Sequence, residues 1–291
     1  MVNNNGKLVL GTVQFGLDYG INNHKGKPNL VEIENILIRA YEAGIRCLDT
    51  AEAYGNAHQI IGDFHRKHKE MRFEVITKIP ADFTGTLSKR IDSYLDQLNV
   101  DSIESILFHS YEIYEKNRRE IDCLNSIKET GKIKSIGVSV YTNAQIVNVL
   151  LDALISIIQL PFNILDNIGL RGRVLEMAKQ QGKIIHSRSA FLQGLFFVPL
   201  EKNHRIVRSL RAELLLLHEI AAEQNTSMQS LAINYCLQQE LIDKVLIGVE
   251  SLDQLNQNLS NTTQVLSADA MCKINKISIC DVDLLNPSLW N

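Results

Sequence analysis

Short runs of hydrophobic residues alternate with longer amphipathic stretches along nearly the whole chain. The runs are rich in β-branched residues, and several are apolar on successive positions, which is typical of strands covered on both faces of a parallel sheet. We find eight such runs, which predict strands at residues 8–13, 46–49, 73–78, 105–109, 135–140, 155–160, 183–187 and 244–249.

Between these runs, hydrophobic positions recur at helical spacing. Gly44, Gly131 and Gly182 each follow such a stretch, where a left-handed residue ends a helix. The pattern predicts helices at residues 31–43, 86–98, 117–130, 170–181 and 251–259, further helical material at 205–239, and a C-terminal helical tail from about Ser267.

Eight β/α units in about 250 residues match a closed (β/α)8 TIM barrel better than a doubly wound sheet. The glycines near the first predicted strand, Gly11, Gly16 and Gly20, lack the G-x-G-x-x-G spacing of a Rossmann phosphate-binding turn. No low-complexity linker or charge block divides the chain. The sequence therefore predicts one α/β domain over residues 1–291, with a short N-terminal segment and a helical tail.

Composition excludes several classes of partner. The chain has 291 residues, with 30 Lys and Arg against 33 Asp and Glu, and a formal net charge of -3. Because no overall cationic field would hold a polyanion, we expect neither nucleic acid nor a membrane as partner. The most apolar stretch, 147–165, is interrupted by Asp152 and Pro161.

Cysteine usage and the N-terminus favour a cytoplasmic location. The five cysteines are scattered without a C-x-x-C pair, as expected for reduced thiols. The first residues show no signal-peptide pattern. His65 and His68 could share a helix face, but no further ligand stands at a persuasive spacing, so we expect no metal site.

Four polar residues fall at or just after three consecutive predicted strand ends: Asp49, Tyr54, Lys78 and His109. Each alone has a purely structural interpretation. Asp49 could cap a turn and Tyr54 could be a half-buried aromatic residue. Lys78 could be solvated, and His109 could bond a backbone carbonyl. In a TIM barrel, however, the loops after the strands build the pocket, which would bring all four together. Their pattern predicts a site for chemistry at this end of the barrel.

These four residue types suit the reduction of an aldehyde or ketone by hydride. Lys78 beside a carboxylate would stay charged, and its cation would favour the phenolate of Tyr54. Tyr54 would then donate a proton to the carbonyl oxygen that gains negative charge, and a neutral His109 would orient that oxygen.

At these residues the chain resembles the aldo-keto reductase family. The motif D-T-A-x-x-Y-G stands at residues 49–55, with T-K and a strand-end His downstream. The other matching segments follow in the family's order at residues 10–12, 15–16, 136–139, 159–163, 193–195 and 247–248, then Gln254 and Asn258. The resemblance extends from about residue 7 to 260. It implies that Tyr54 is the general acid/base, that Lys78 and Asp49 tune it, and that His109 positions the carbonyl.

The resemblance also implies a nicotinamide dinucleotide bound across the barrel mouth. The implied contacts are Gly11, Thr12, Ser139, Gln159, Arg188, Gly248, Ser251, Gln254, Gln257 and Asn258. Two positions depart from the family: Val140 replaces the usual Asn, and Arg188 stands where many relatives stack an aromatic ring on the nicotinamide. A guanidinium can stack on a ring or pair with the diphosphate; the alternative is an Arg turned to solvent.

The implied cofactor is NADP(H), with NAD(H) as the alternative. Relatives selective for the 2′-phosphate often carry Lys or Arg near residues 248–258, where this chain has Glu250, Gln254 and Gln257. An inward-facing Glu250 would repel that phosphate.

Other functions stay open. A related barrel could keep the cofactor pocket as a non-catalytic sensor or partner subunit, although the four intact residues favour turnover. Lys78 could instead form a Schiff base in a lyase or isomerase.

The expected substrate is a small carbonyl compound, sugar-like if Asn163 and Arg188 face the mouth. Trp290 could cover the mouth or pack on the barrel flank. Oligomeric state is not predicted.

Overall fold

The computed structural model describes residues 4–21, 23, 26–81 and 86–290. Eight parallel strands form a closed barrel in which each strand pairs with the next and the eighth pairs with the first. The strands are β1 (Leu8–Gly11), β2 (Cys47–Asp49), β3 (Glu74–Ile79), β4 (Ile103–Phe108), β5 (Ile133–Ser139), β6 (Ile157–Pro161), β7 (Ile184–Arg188) and β8 (Lys244–Gly248). The predicted TIM barrel and its eight strands are confirmed.

Helices cover the outside of the barrel and extend the loops. They are α1 (Val13–Gly16), α2 (Leu30–Glu42), α3 (Ala57–Lys67), α4 (Leu87–Leu98), α5 (Tyr111–Lys116), α6 (Ile121–Glu129), α7 (Asn143–Leu150), α8 (Ile168–Gln180), α9 (Arg205–Ser209), α10 (Arg211–Glu223), α11 (Met228–Leu237), α12 (Leu252–Ser260) and α13 (Ala268–Asn275). None of those in the described part of the chain is long and apolar enough to cross a membrane.

Two of the predicted elements need correction. The first predicted strand was too long, because α1 already begins at Val13. The stretch 117–130 is not one helix: a 3-10 turn at Arg118–Glu120 precedes α6. The helical material predicted at 205–239 is confirmed, and it consists of α9, α10 and α11. The tail begins at Ser267, which caps α13. That residues 1–291 form one domain stays a prediction.

Polar side chains fix where several helices begin. Asn29 accepts a hydrogen bond from the backbone N–H of Glu32 at the start of α2. Thr142 and Gln145 form a capping box at the start of α7. Such caps satisfy backbone donors that have no partner within the helix. They therefore hold the ends of the loops that lead from strands to helices.

The core has two parts. Most buried apolar side chains lie between the strands and the surrounding helices. A smaller cluster, formed by Val9, Cys47, Ile76, Leu107 and Leu246, fills the barrel interior. Because side chains fill the interior, the barrel is a packed support rather than a pore. Open space lies at the carboxyl ends of the strands.

Two helical glycines give opposite predictions for stability. In Gly62→Ala, the new Cβ would lie 1.8 Å from the Gln97 carbonyl oxygen of α4, so we expect the free energy of unfolding to fall by about 2 kcal/mol. In Gly172→Ala, the Cβ would meet only the Ile168 side chain at 3.9 Å. The better helix propensity of alanine should therefore raise the free energy of unfolding by about 0.5–1 kcal/mol. Urea unfolding of both variants measures the difference; equal effects would contradict the close packing of α3 on α4.

Candidate active site

A cleft of about 530 Å³ opens at the carboxyl ends of the barrel strands. All the predicted site residues except Ser251 line it. They are Gly11, Thr12, Asp49, Tyr54, Lys78, His109, Ser139, Gln159, Arg188, Gly248, Gln254, Gln257 and Asn258. Its volume is that of a site for a small molecule or cofactor.

A buried ion pair lies at the base of this cleft. The Lys78 ammonium pairs with Asp49 Oδ1 and donates a hydrogen bond to the Thr50 carbonyl oxygen at 2.9 Å. Asp49 Oδ2 accepts from Gln159 Nε2 at 2.8 Å. Burial disfavours the ammonium, but Asp49 and Tyr54 outweigh this effect and raise the pKa of Lys78 above its usual value. Lys78 is therefore a permanent cation at neutral pH.

Tyr54 and His109 lie next to this pair. The Lys78 Nζ is 5.1 Å from the centroid of the Tyr54 ring. The rings of Tyr54 and His109 meet edge to face with centroids 5.6 Å apart. Burial, reinforced by the charge of Lys78, lowers the pKa of His109 to about 4. The imidazole is thus neutral at physiological pH and can donate one N–H to an uncharged carbonyl oxygen.

The loop that carries Tyr54 packs directly on the first β/α loop. A Cβ on Gly16 would lie 1.7 Å from the Tyr54 carbonyl oxygen, and one on Gly55 would lie 2.7 Å from the Gly16 carbonyl oxygen. Gly55 also has a φ of 56°, in the left-handed region. These two glycines allow the close backbone approach that positions the Tyr54 ring over Lys78.

A second wall of the cleft is formed by β5, β6 and β7. Ser139 pairs with Gln159 in the sheet register. The Arg188 Nε donates to Ser139 Oγ at 3.3 Å, and the guanidinium carbon lies 4.1 Å from the centroid of the Tyr141 ring. Arg188 therefore faces the cleft rather than solvent.

A buried ion pair supports Tyr141 from behind. Arg171 binds Asp166 through two hydrogen bonds of 2.6 and 2.8 Å, and both side chains are buried. Arg171 also donates to the Tyr141 carbonyl oxygen at 2.7 Å and to Asn143 Oδ1 at 2.8 Å. This network links the loop after β5 to the loop after β6.

The far end of the cleft lies at the start of α12. Ser251 caps this helix by accepting from the Gln254 N–H at 3.3 Å, and it is not among the lining residues. Gln254 Oε1 accepts from the Glu250 N–H at 2.8 Å. Among the described residues of the lining, Lys78 and Arg188 are the lysine and arginine side chains, and Glu250, Gln254 and Gln257 stand at the α12 end.

Two amide oxygens fit a ligand with hydrogen-bond donors. Gln159 Oε1 and Gln14 Oε1 are buried and accept no hydrogen bond from the residues that the structure describes. An unsatisfied buried acceptor is unfavourable unless a ligand or water donates to it. A nicotinamide dinucleotide carries amide and hydroxyl donors, so these residues fit such a cofactor.

Several cleft residues escaped the sequence analysis. Gln14 and Tyr19 follow β1, Tyr141 follows β5, and Phe191 and Phe197 follow β7. Each comes shortly after a strand end, the signal that identified the others. Position after a strand end marks them as candidates for the cleft, but their residue types do not indicate a particular chemical role.

One contact joins the loops after β1 and β7. Gln193 Nε2 donates to the Tyr19 hydroxyl at 2.8 Å. The β7 loop has Ser189, Leu192, Gln193 and Gly194 at positive φ, an unusual backbone for side chains other than glycine. This explains the glycine of the Q-G-L segment that the sequence singled out.

Two histidines and the tryptophan that the sequence also suggested lie outside the cleft. His65 is buried and bonds the Leu98 carbonyl oxygen at 2.9 Å, whereas His68 pairs with Glu34. No group of three or more potential metal ligands occurs among the residues described. The Trp290 indole donates to the Leu284 carbonyl oxygen at 3.0 Å and packs near His204; it does not line the cleft.

Comparison with known proteins assigns the family. The model of the aldo/keto reductase family matches residues 7–279. The NADH-specific methylglyoxal reductase of Escherichia coli K12 is 23% identical, with 80% of this chain and 84% of that protein covered. The L-glyceraldehyde 3-phosphate reductase of Escherichia coli O157:H7 is 24% identical over 94% and 90%.

A solved structure shows the same fold. An aldo-keto reductase from Bacillus halodurans, in its holo form, superposes with a TM-score of 0.76 at 22% identity, covering 94% of this chain and 92% of that one. This likeness and the family match, which spans most of the chain, agree with the barrel fold. The chain belongs to the aldo/keto reductase family, and it is an oxidoreductase that reduces a carbonyl group to an alcohol.

Proposed function

We propose that this reductase uses a nicotinamide dinucleotide and that the Tyr54 hydroxyl donates the proton to the carbonyl oxygen. The observation that carries this proposal is the buried Lys78–Asp49 ion pair under Tyr54, with the neutral His109 at the edge of the same ring. The positions of these groups suit a carbonyl oxygen that gains negative charge.

Each residue has a distinct part in the proposed reaction. The cofactor supplies the hydride. Lys78 stabilises the phenolate that remains after Tyr54 has given up its proton, and Asp49 keeps Lys78 in place and charged. His109 donates its N–H to the carbonyl oxygen and orients the substrate. In the reverse direction, the same phenolate accepts the proton of the alcohol.

Other cleft residues would hold the cofactor. Ser139 and Gln159 are suited to the nicotinamide carboxamide, since one offers a hydroxyl and the other an unsatisfied oxygen. Gly248 and the N-terminal end of α12 are suited to the adenosine phosphate, because the helix dipole favours an anion there. Gln257 and Asn258 border the same end.

The Schiff-base alternative is disfavoured by the state of Lys78. A nucleophilic lysine needs a neutral amine, which burial without a counter-charge would provide. Here Asp49 raises the pKa of Lys78 instead. A non-catalytic sensor would need the dinucleotide pocket but not the arrangement around Tyr54, so the geometry supports turnover.

For the choice of dinucleotide, the lining favours NADH. The resemblance implies NADP(H), which rests on the family alone. At the α12 end the cleft presents Glu250, Gln254 and Gln257, with no Lys or Arg in the described lining there. A 2′-phosphate carries a charge of nearly two at neutral pH and is stabilised by cations. We therefore propose that NADH binds better than NADPH.

The proposed substrate is a small polar aldehyde or ketone. Tyr19, Tyr141, Phe191 and Phe197 contribute aromatic walls to the cleft, and Arg188 and Gln193 contribute polar groups. This mixture supports a hydroxylated, sugar-like carbonyl compound. The five cysteines, which form no disulfide, support the proposed cytoplasmic location.

Replacing Tyr54 by Phe tests the proton donor. Tyr54→Phe should lower kcat/KM at least about 100-fold, the usual contribution of a general acid, while the Kd of the dinucleotide stays unchanged. Tyr111→Phe, outside the cleft, serves as the matched control. Steady-state kinetics with an accepted aldehyde measure both variants. Full turnover by Tyr54→Phe would remove the proposed role.

The neutral state of His109 has a measurable pH dependence. We expect its imidazole to titrate near pH 4, with no change between pH 5.5 and 8. NMR of the histidine side chains gives this value, and the spectrum of His109→Gln assigns the signal. Because the unfolded imidazole takes up its proton near pH 6.5, His109 lowers the free energy of unfolding as the pH falls below that value. Titration near pH 6.5 in the folded protein would contradict the burial argument.

The cofactor preference is tested by adding a cation. Gln254→Arg should lower the KM for NADPH about tenfold or more, because a guanidinium binds phosphate strongly. The KM for NADH should change much less. Gln59→Arg, on the exposed face of α3, controls for added charge. A wild-type KM for NADPH below that for NADH would overturn the preference.

A further inference from the structure

Arg188 lines the cleft, and its guanidinium contacts several neighbouring groups. Its edge is already engaged: Nε donates to Ser139 Oγ at 3.3 Å, one terminal nitrogen to Ser189 Oγ at 3.4 Å and the other to the Val140 carbonyl oxygen at 3.4 Å. Tyr141 covers one face, 4.1 Å from the guanidinium carbon. An oxyanion binds the edge of a guanidinium, whereas a flat ring binds its face. The remaining surface therefore suits a ring.

The positive charge of Arg188 is not neutralised by an ion pair. Its hydrogen-bond partners are two hydroxyls and a carbonyl oxygen, and no carboxylate of the described residues pairs with it. Asp166, the buried carboxylate of the neighbouring loop, binds Arg171 through both oxygens. Lys78, the other cation of the cleft, is paired with Asp49. Asp166 interacts with Arg188 only through its electric field, so Arg188 contributes positive charge to the site.

This charge lies close to the reacting groups. Ser139, which Arg188 contacts, pairs with Gln159 in the sheet, and Gln159 bonds Asp49. Arg188 also contributes to the lowered pKa of His109. A hydride donor must stand next to the carbonyl carbon whose oxygen meets Tyr54 and His109. Arg188 lines the same cleft as Tyr54 and His109, so its guanidinium is near the space that such a donor requires.

We propose that Arg188 makes the site select the reduced dinucleotide over the oxidised one. The inference rests on the proposed function, because it assumes that the nicotinamide lies against the guanidinium face. The oxidised nicotinamide ring carries one positive charge and the reduced ring carries none. In a partly desolvated cleft, two like charges a few ångströms apart repel strongly. An aromatic residue at this position would act in the opposite direction, since its face attracts a cation.

The selection affects turnover after the hydride has left. When the ring becomes positively charged, Arg188 raises the free energy of the product complex and hastens release of the oxidised cofactor. The protein is then little inhibited by that product and binds the reduced form in its presence. Tyr141 supports this role by fixing the guanidinium plane, and Arg171 holds the Tyr141 backbone.

Binding measurements test the selection without turnover. The Kd values of the oxidised and reduced forms of one dinucleotide are measured by calorimetry and by quenching of protein fluorescence. In the wild type, the reduced form should bind at least about tenfold more tightly. In Arg188→Gln the ratio of the two Kd values should fall about tenfold or more, and in Arg188→Tyr it should fall further. Arg188→Lys keeps the charge and should keep most of the ratio.

The outcomes separate this inference from the proposed function. If the wild type binds neither form, the proposed function fails. If both forms bind and Arg188→Gln weakens the binding of both equally, Arg188 has a structural role and the proposed selection is wrong. If Arg188→Gln weakens only the binding of a negatively charged carbonyl substrate, Arg188 has a role in substrate binding and the proposed selection is again wrong. A variant that does not fold is recognised by its circular dichroism; Arg188→Lys against Arg188→Tyr then gives the same comparison.

Discussion

The site depends on one requirement: a lysine ammonium buried inside a barrel must have a carboxylate beside it. Moving such an ion out of water costs several kcal/mol, and only a well-placed counter-charge offsets this cost. Asp49 can act as that counter-charge because β2 and β3 are adjacent parallel strands in fixed register. A shift of one residue would turn Lys78 away from the cleft. Closure of the barrel and the charge under Tyr54 therefore support each other.

Asp49 also connects the parts of the cleft. One carboxylate oxygen binds Lys78 of β3, the other accepts from Gln159 of β6, and its backbone carbonyl accepts from the Thr12 N–H at 2.9 Å. A single residue thus sets the position of groups from three other places around the barrel. The residues proposed for proton transfer and those proposed for the cofactor are held in one geometry, so a disturbance at Asp49 affects both.

The sequence was most informative where the barrel restricts it. Strands covered on both faces must be apolar, so the eight runs stood out, and polar residues at their ends were conspicuous. The roles of Tyr141 and Arg171 could not be inferred in this way, because they arise from contacts between loops far apart in sequence. The approach of Gly16 to the Tyr54 backbone likewise depends on how two loops pack. Residue type at a strand end indicates chemistry, whereas tertiary contacts decide which groups face each other.

The hydrogen bond between Gln193 and Tyr19 has a consequence for exchange. It joins the loops after β1 and β7 across lining residues of the cleft and is exposed to solvent. A neutral hydrogen bond of this kind contributes about 1 kcal/mol. Breaking it therefore costs little free energy compared with the stability of the barrel. The contact holds the two loops together only weakly. A ligand that must separate them to enter or leave therefore loses little free energy in doing so.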